Sequence, residues 1–194
     1  MNQFDPVIVE MVSKYSNTGR IELCTNTVTG VFQMAVFLKL PELPTLCVGF
    51  MLGSVNLTSC IPFWKLAEFY NVQPLRIYLR TFISNSLNDV MKTTDFLELE
   101  VEHVKRLLSD VRLKYSEAPQ RYEMVYLAVM HWIRYKVIER RWYIGRLLRL
   151  IRPEEISAQF LNEVILDNKL MTENDAAKKW LWNNFNVRFN RRRN

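Results

Sequence analysis

The sequence predicts a mostly α-helical protein, an antiparallel array of helical hairpins preceded by a small α+β segment. Beyond Gly53, apolar residues recur at the i, i+3, i+4 spacing of amphipathic helices through most of the chain. Hydrophobic residues make up 49% of the 194, which is enough to form a folded core. The five glycines are never adjacent. This argues against phosphate-binding loops and β-propeller blades, since both need clustered glycines.

The individual elements follow from spacing, and their ends from proline and capping residues. Residues 20–24 alternate between polar and apolar and predict a short strand. Residues 109–115 predict a polar, partly extended connection. The remaining connections are short, which favours antiparallel packing of neighbouring helices. Helices are predicted at residues 5–14, 25–40, 44–51, 58–70, 74–90, 94–99, 100–108, 117–137, 139–151, 159–166 and 172–182.

The cysteines and the longest apolar run exclude several classes of protein. Cys24, Cys47 and Cys60 are an odd set in apolar surroundings, so they are expected to be buried, reduced thiols. The chain has no closely spaced pairs of cysteine or histidine, so no metal site and no cofactor are predicted. Residues 43–57 are interrupted by Pro44 and by glycines, so the run is too broken to span a bilayer. The N-terminus does not resemble a signal peptide. A cytoplasmic location without membrane association is therefore expected.

Catalytic residues are not evident in the sequence. His103 and His131 both lie within helical patterns, and neither is part of a recognisable set of nucleophile, base and orienting group. Glu98, Glu100 and Glu102 alternate along the chain. That spacing is typical of a solvated face or a helix N-terminus rather than of a paired acid and base. The sequence predicts a non-enzymatic protein with no small-molecule substrate.

The net charge of +6 is unevenly distributed. Residues 134–152 contain seven basic residues and only one acidic residue, Glu139, and residues 188–193 contain four more arginines. Combined with Tyr135, Trp142 and Tyr143, the first stretch permits nucleic-acid binding. The preferred interpretation is that arginine stems cover apolar surface and their charges suit helix C-termini. The C-terminal arginines form either a nuclear localisation signal or a solvated end, and the sequence does not distinguish these alternatives.

Five short motifs follow one another through the helical part. In order, they are Ser59-Cys60-Ile61; Phe96-Leu97-Glu98-Leu99; Leu107-Leu108-Ser109-Asp110-Val111, with Ser116-Glu117 shortly after; Val129-Met130-His131-Trp132-Ile133; and the stretch from Arg141 to Arg152. Their order and spacing resemble the BACK domain of the BTB-BACK-kelch, or kelch-like, family, with Ser59 replacing asparagine. Upstream, residues 15–19 are similar to the Y-T-G step near the end of a BTB domain.

The resemblance implies three regions. Residues 1–53 would be the C-terminal part of a BTB-like domain, residues 54–187 a BACK-like helical domain, and residues 188–194 a basic tail. The first half of the BTB domain and the kelch repeats are expected to be absent.

The resemblance also implies a function and a partner. Kelch-like proteins serve as substrate-adaptor subunits of cullin-3 RING ubiquitin ligases, so a non-catalytic adaptor or scaffold is expected, with cullin-3 as a protein partner. The helix at residues 58–70 would face the cullin. Its apolar residues occupy nearly the whole circumference, so it either contacts a partner or is buried on all sides. The residues predicted to face the cullin are Ile61, Phe63, Trp64, Leu66 and Tyr70.

Other functions stay open at this point. The chain could be a ligase-independent scaffold, of a hetero-oligomerising or cytoskeletal kind, or a regulator of full-length kelch-like relatives. A homo-oligomer and a hetero-oligomer are equally compatible with the sequence.

Overall fold

The computed structural model describes residues 4–114 and 121–188, and of residues 111–114 it describes the backbone only. Every regular element within these residues is a helix. The predicted mostly α-helical fold class is therefore confirmed. The chain divides into two compact units, Met1–Phe82 and Ile83–Asn194. No helix in the described ranges combines the length and the apolar character that crossing a bilayer requires.

The first unit contains four helices and most of a fifth. Asp5 begins the first helix by accepting a hydrogen bond from the Val7 N–H at 2.9 Å. Gly19 ends it at φ 67°, and its N–H donates to the Tyr15 carbonyl at 2.8 Å. In chain order the helices are α1 (Pro6–Thr18), α2 (Val28–Phe37), α3 (Leu43–Gly53), α4 (Cys60–Phe69) and α5 (Gln73–Asn85), the last of which continues into the second unit.

The start of α4 is fixed by a small network of polar side chains. The Asn56 side-chain oxygen accepts hydrogen bonds from the N–H groups of Thr58 and Ser59, at 2.9 and 3.0 Å. In return, the Ser59 hydroxyl accepts from the Asn56 N–H at 2.9 Å and donates to the Ser54 carbonyl at 3.2 Å. Pro62 follows in the first turn, where a missing N–H is tolerated. These contacts set the direction in which α4 leaves the preceding loop.

The strand predicted at residues 20–24 is wrong. These residues form no regular secondary structure, because a strand needs a neighbouring strand for its hydrogen bonds and the described residues provide none. The α+β character expected for this segment is likewise not found among them. Cys24 at its end is exposed, with its sulfur 3.1 Å from the Thr27 hydroxyl oxygen, which corrects the expectation that all three cysteines are buried. Cys47 and Cys60 are buried as expected.

The second unit begins within α5 and consists of shorter helices around two longer ones. Its α-helices are α6 (Leu87–Val90), α7 (Thr94–Leu97), α8 (Val101–Lys114), α9 (Arg121–Tyr135), α10 (Val137–Arg140), α11 (Ile144–Leu147), α12 (Ala158–Phe160), α13 (Lys169–Glu173) and α14 (Asp175–Phe185). Single turns of 3₁₀-helix occur at Arg141–Tyr143, Leu148–Leu150 and Pro153–Glu155, and a π-helical turn at Leu161–Ile165.

A buried tryptophan and a buried arginine join α9, α10 and the connection between α7 and α8. The Trp132 indole N–H donates a hydrogen bond to the Leu99 carbonyl at 2.8 Å. The Arg140 guanidinium lies 4.0 Å from the centre of the Trp132 ring. It donates to the carbonyls of Leu97 and Trp132, at 2.7 and 2.9 Å. The hydrogen bonds from Trp132 to Leu99 and from Arg140 to Leu97 join residues more than thirty positions apart in sequence, so they specify the packing of this unit rather than its individual helices.

The largest differences from the predicted helices occur in the second unit. The connection predicted at residues 109–115 is wrong, since α8 continues through Lys114. The helix predicted at residues 139–151 is instead a series of short α-helical and 3₁₀ turns. Within this series, a Cβ atom added at Gly145 would lie 2.8 Å from the Ala176 Cβ, so glycine allows α14 to approach α11 closely. Helix packing, rather than local propensity, accounts for this arrangement.

The helix predicted at residues 172–182 is also divided. The Asn174 side chain accepts hydrogen bonds from the N–H groups of Ala176 and Ala177, at 3.0 and 3.1 Å. A new helix, α14, therefore begins there. Of the predicted basic tail, only Arg188 lies within the described residues, where its guanidinium is 5.3 Å from the Trp182 ring centre.

Candidate functional site

The helix predicted to face a partner is α4, and most of its predicted contact residues are buried. Ile61, Phe63, Trp64 and Leu66 are each at most 4% exposed. Their burial agrees with the alternative that the sequence left open, namely that this helix is covered on nearly all sides. A partner approaching α4 would therefore meet other residues first.

Tyr70, directly after α4, differs from the other four predicted residues because it is half-buried. Its ring packs edge-on against Phe32 of α2 and against its neighbour Phe69, with ring centres 5.3 and 4.8 Å apart. The Phe69 side chain is 81% exposed. The Tyr70 ring therefore contacts Phe32 on one side and the exposed Phe69 on the other. Exposed aromatic side chains of this kind can become binding hot spots when a partner covers them.

The adjoining helix α5 exposes further apolar side chains. Ile77 and Tyr78 are both exposed. Arg76 on α5 and Glu68 on α4 form an ion pair with an N–O distance of 2.6 Å, which links the two helices across their connection. The α4–α5 surface, defined as Phe69, Tyr70, Ile77 and Tyr78, is therefore the exposed apolar part of this helix pair. The helices predicted from the sequence include Phe69 and Ile77, but the spacing of apolar residues cannot show that these two side chains are exposed.

The basic stretch at residues 134–152 is largely used within the structure. Four of its seven cationic side chains have structural partners: Lys136 pairs with Glu98, Arg140 with two carbonyls, Arg146 with Glu102 and Arg152 with Glu155. This agrees with the interpretation that these charges serve the fold.

The aromatic residues of the same stretch differ in their surroundings. The Tyr135 hydroxyl donates a hydrogen bond to Glu98 at 2.8 Å. Tyr143 packs against Trp132, with ring centres 6.1 Å apart. Trp142 alone of the three is mostly exposed, at 71%. Tyr135 and Tyr143 are less exposed, at 44% and 36%, and both make contacts within the fold, so the three rings give little support to the stacking of successive bases in a single-stranded nucleic-acid groove.

The histidines and acidic residues are distributed among separate contacts. His131 is exposed on α9, and His103 on α8 lies 3.9 Å from the Glu100 carboxylate. Glu98 accepts hydrogen bonds from Lys136 and Tyr135, which lower the pKa of its carboxyl group. Across the described ranges, no three histidine, cysteine, aspartate or glutamate side chains converge on a position that could hold a metal ion. The structure thus places His103 and the three glutamates in separate ion pairs and hydrogen bonds, and His131 on an exposed helix face.

The motif residues noted in the sequence have structural roles in the core. Phe96 and Leu99 of the second motif are buried, and Leu99 accepts the hydrogen bond from Trp132 of the fourth. Ser59 of the first motif organises the start of α4. The Ser116-Glu117 step lies outside the described residues. The motifs therefore correspond to positions that hold the helices together.

Comparison with known proteins agrees with this pattern. The family model described as BACK, BTB And C-terminal Kelch, matches residues 60–166. The chain is similar to Kelch-like protein 7 of Gallus gallus, with 27% identity over 175 residues that cover 90% of this chain and 29% of that protein. It is 25% identical to Kelch-like protein 11 of Homo sapiens, over 90% of this chain and 24% of that protein. Similarity to Kelch-like protein 28 of Mus musculus, at 25% identity, covers 91% of this chain and 30% of that protein.

The chain spans less than a third of the length of these relatives. The family match, by contrast, covers more than half of the chain and includes α4, the buried Trp132 and Arg140. The chain therefore belongs to the BACK (BTB And C-terminal Kelch) family.

Proposed function

We propose that this chain is a non-catalytic adaptor or scaffold that binds cullin-3 through the α4–α5 surface. The observation that supports the proposal most directly is the exposed Phe69 side chain at the end of α4, at the start of the region matched by the BACK family model. An exposed aromatic ring can insert into a hydrophobic groove of a partner helix bundle. Ile77 and Tyr78 add apolar surface from α5.

The five residues predicted from sequence have two roles in this proposal. Tyr70 contacts the partner alongside Phe69. Ile61, Phe63, Trp64 and Leu66 act indirectly, since they anchor α4 in the core and thereby fix the direction in which the exposed ring projects. A preorganised ring loses little conformational entropy on binding.

The adaptor mechanism is positional. Buried contacts such as those of Trp132 and Arg140 keep the second unit folded, and the chain connects a recruited protein to the ligase. The resulting effective concentration at the target lysine promotes transfer without any chemistry from the adaptor itself.

The test is a binding measurement between the full chain and the N-terminal region of cullin-3. Phe69→Ala should weaken binding by about tenfold or more, because hot-spot aromatics contribute about 2 kcal/mol or more. Since Phe69 is exposed, the variant should keep the stability of the parent. Trp182→Ala, which removes an exposed aromatic from the second unit, is the matched control and should bind normally. Absence of binding at micromolar concentrations would remove cullin-3 as the partner, and equal affinity for Phe69→Ala would remove the α4–α5 surface as its binding site.

A second candidate function is a ligase-independent, hetero-oligomerising scaffold. It is favoured by the exposed apolar side chains of α1 and α2, which include Val7, Val9 and Phe37. The Phe37 ring packs at a tilt against that of Phe4, with ring centres 5.8 Å apart. Such a surface suits a folded apolar partner. Binding of a full-length kelch-like relative that is weakened by Phe37→Asp and unaffected by Phe69→Ala would support this function over the first.

A further inference from the structure

Two large apolar side chains lie exposed on α10 and the turn after it. Ile138 is 80% exposed and Trp142 71% exposed. With Arg141 they are spaced i, i+3 and i+4 along helical backbone, so the three side chains lie on one face. We call Ile138, Arg141 and Trp142 the Trp142 patch. A single exposed apolar residue is ordinary, but an isoleucine and a tryptophan one turn apart form a compact apolar surface.

The sequence stretch that contains the Trp142 patch, residues 134–152, has seven cationic residues and one acidic residue. Three arginines of the basic stretch, Arg134, Arg141 and Arg149, are exposed and form no ion pair within the described residues. The exposed carboxylate of Glu139 interacts electrostatically with the neighbouring Arg140. Cationic charge is therefore available here for an external anionic group.

The backbone that carries the Trp142 patch is fixed by hydrogen bonds of Arg140 and Arg141. Arg140, adjacent in sequence, is fixed by two hydrogen bonds to buried carbonyls. The backbone carbonyl of Arg141 accepts a hydrogen bond from the Asn174 side chain at 3.3 Å. The Arg141 guanidinium lies 4.5 Å from the centre of the Trp142 ring, a contact that favours this arrangement of the two exposed side chains. An exposed ring that is already ordered binds a partner at a lower entropic cost.

We propose that the Trp142 patch binds an acidic segment of a partner protein in which an apolar residue is flanked by carboxylates. The apolar residue would pack on Ile138 and on the open side of the Trp142 ring. The flanking carboxylates would meet the guanidinium of Arg141, which can hold a carboxylate through two parallel hydrogen bonds. Charge complementarity therefore favours an acidic protein segment as the occupant.

The patch fits this occupant better than it fits nucleic acid. A groove for single strands needs several freely exposed rings, whereas the second large group of the patch is the aliphatic Ile138, and the neighbouring Tyr143 is only 36% exposed and packs against Trp132. One face of the Trp142 ring is also covered by Arg141. The patch belongs to the second unit and the α4–α5 surface to the first. Loss of either binding activity can thus be recognised separately.

The test is fluorescence anisotropy of labelled probes titrated with the full chain. The probes are a peptide of alternating glutamate and leucine, the same peptide with glutamine replacing glutamate, and a short DNA duplex. We expect the acidic peptide to bind most tightly and its affinity to fall as salt rises, since exposed charges are screened over about 8–10 Å at physiological ionic strength. Trp142→Ala and Arg141→Glu should each weaken binding by about tenfold, as expected for a central aromatic anchor and its charged partner.

Two matched variants separate the patch from general effects. Trp182→Ala removes an exposed tryptophan elsewhere in the same unit, and Lys105→Glu reverses an exposed charge elsewhere; both should bind the acidic peptide like the parent. Equal affinity of the glutamine peptide would overturn the proposal. So would retained affinity in both Trp142→Ala and Arg141→Glu. Tighter binding of the duplex than of the acidic peptide, lost in Arg141→Glu, would identify a nucleic-acid site and overturn it as well.

Discussion

Replacing Arg140 with methionine should destabilise the second unit by about 2–4 kcal/mol. The Arg140 side chain is only 7% exposed. It donates to the Leu97 and Trp132 carbonyls at 2.7 and 2.9 Å and stacks on the Trp132 ring at 4.0 Å. Burial also lowers the pKa of Arg140, an indication that the charged form has lost solvation.

The magnitude follows from opposing contributions. Each hydrogen bond from a charged donor is worth about 1.5–3 kcal/mol, and the stacked guanidinium contributes up to about 2 kcal/mol when desolvated. The cost of removing the charge from water offsets part of this gain. Methionine keeps the apolar packing and avoids that cost, but it deprives two carbonyls, those of Leu97 and Trp132, of a donor. The difference between the lost contacts and the avoided desolvation cost lowers the free energy of unfolding by a few kcal/mol.

The assay is urea unfolding followed by circular dichroism and tryptophan fluorescence. Arg140→Lys retains the charge but can reach fewer acceptors, so it should lose about 1–2 kcal/mol. Arg141→Met, at the neighbouring exposed position, is the control and should stay within about 0.5 kcal/mol of the parent. Equal free energies of unfolding for Arg140→Met and Arg141→Met would refute the role assigned to the buried guanidinium.

Three further predictions concern packing, pH and thiol reactivity. Gly145→Ala should lower the free energy of unfolding by about 1–3 kcal/mol, because the new Cβ would lie 2.8 Å from that of Ala176. Glu98→Gln should flatten the acid side of the pH–stability profile. Hydrogen bonds from a lysine and a tyrosine hold the pKa of Glu98 below its ordinary value of 4.5, so the stabilisation is present above pH 4.5 and is lost as the pH falls through the folded-state pKa. Cys24 should react with Ellman's reagent much faster than Cys47, since burial raises the pKa of Cys47 to about 12 and a threonine hydroxyl lowers that of Cys24.

Each of these predictions has an internal control. Ala176→Gly should restore part of the stability lost in Gly145→Ala, and no restoration would show that the clash is not the cause. Glu100→Gln should leave the acid limb of the profile as in the parent, and an equal flattening would contradict the specific role of Glu98. Cys24→Ser should abolish the fast thiol reaction, and persistence of that phase would mean that a buried cysteine is accessible.

Hydrophobic spacing predicts the helical class and the long helix α9, because a helix that buries one face must repeat its apolar residues every three or four positions. It fails at residues 20–24, where alternation is present but the part of the chain that the structure describes contains no second strand to pair with it. It also fails at residues 139–151, where α14 approaches Gly145 closely and the backbone runs in short turns. Both failures concern contacts between segments distant in sequence.

For the candidate site, too, local helical character could be predicted from the sequence, whereas features that depend on distant contacts could not. The sequence indicates that α4 is apolar around its circumference, and that observation is correct. It cannot indicate that Trp64 is buried while Phe69 is exposed, because exposure depends on the neighbouring helices. Ile138 and Trp142 could be singled out only as apolar residues that lie among charges. Their exposure, and the stacking of Arg141 on Trp142, required coordinates.

The most direct test of the central claim is hydrogen exchange of the full chain, alone and with the N-terminal region of cullin-3. Binding through the α4–α5 surface predicts slower amide exchange in peptides spanning α4 (Cys60–Phe69) and α5 (Gln73–Asn85). Peptides of α14 should exchange equally fast in both samples. Unchanged exchange throughout α4 and α5 at saturating cullin-3, or slowing confined to other helices, would contradict the account.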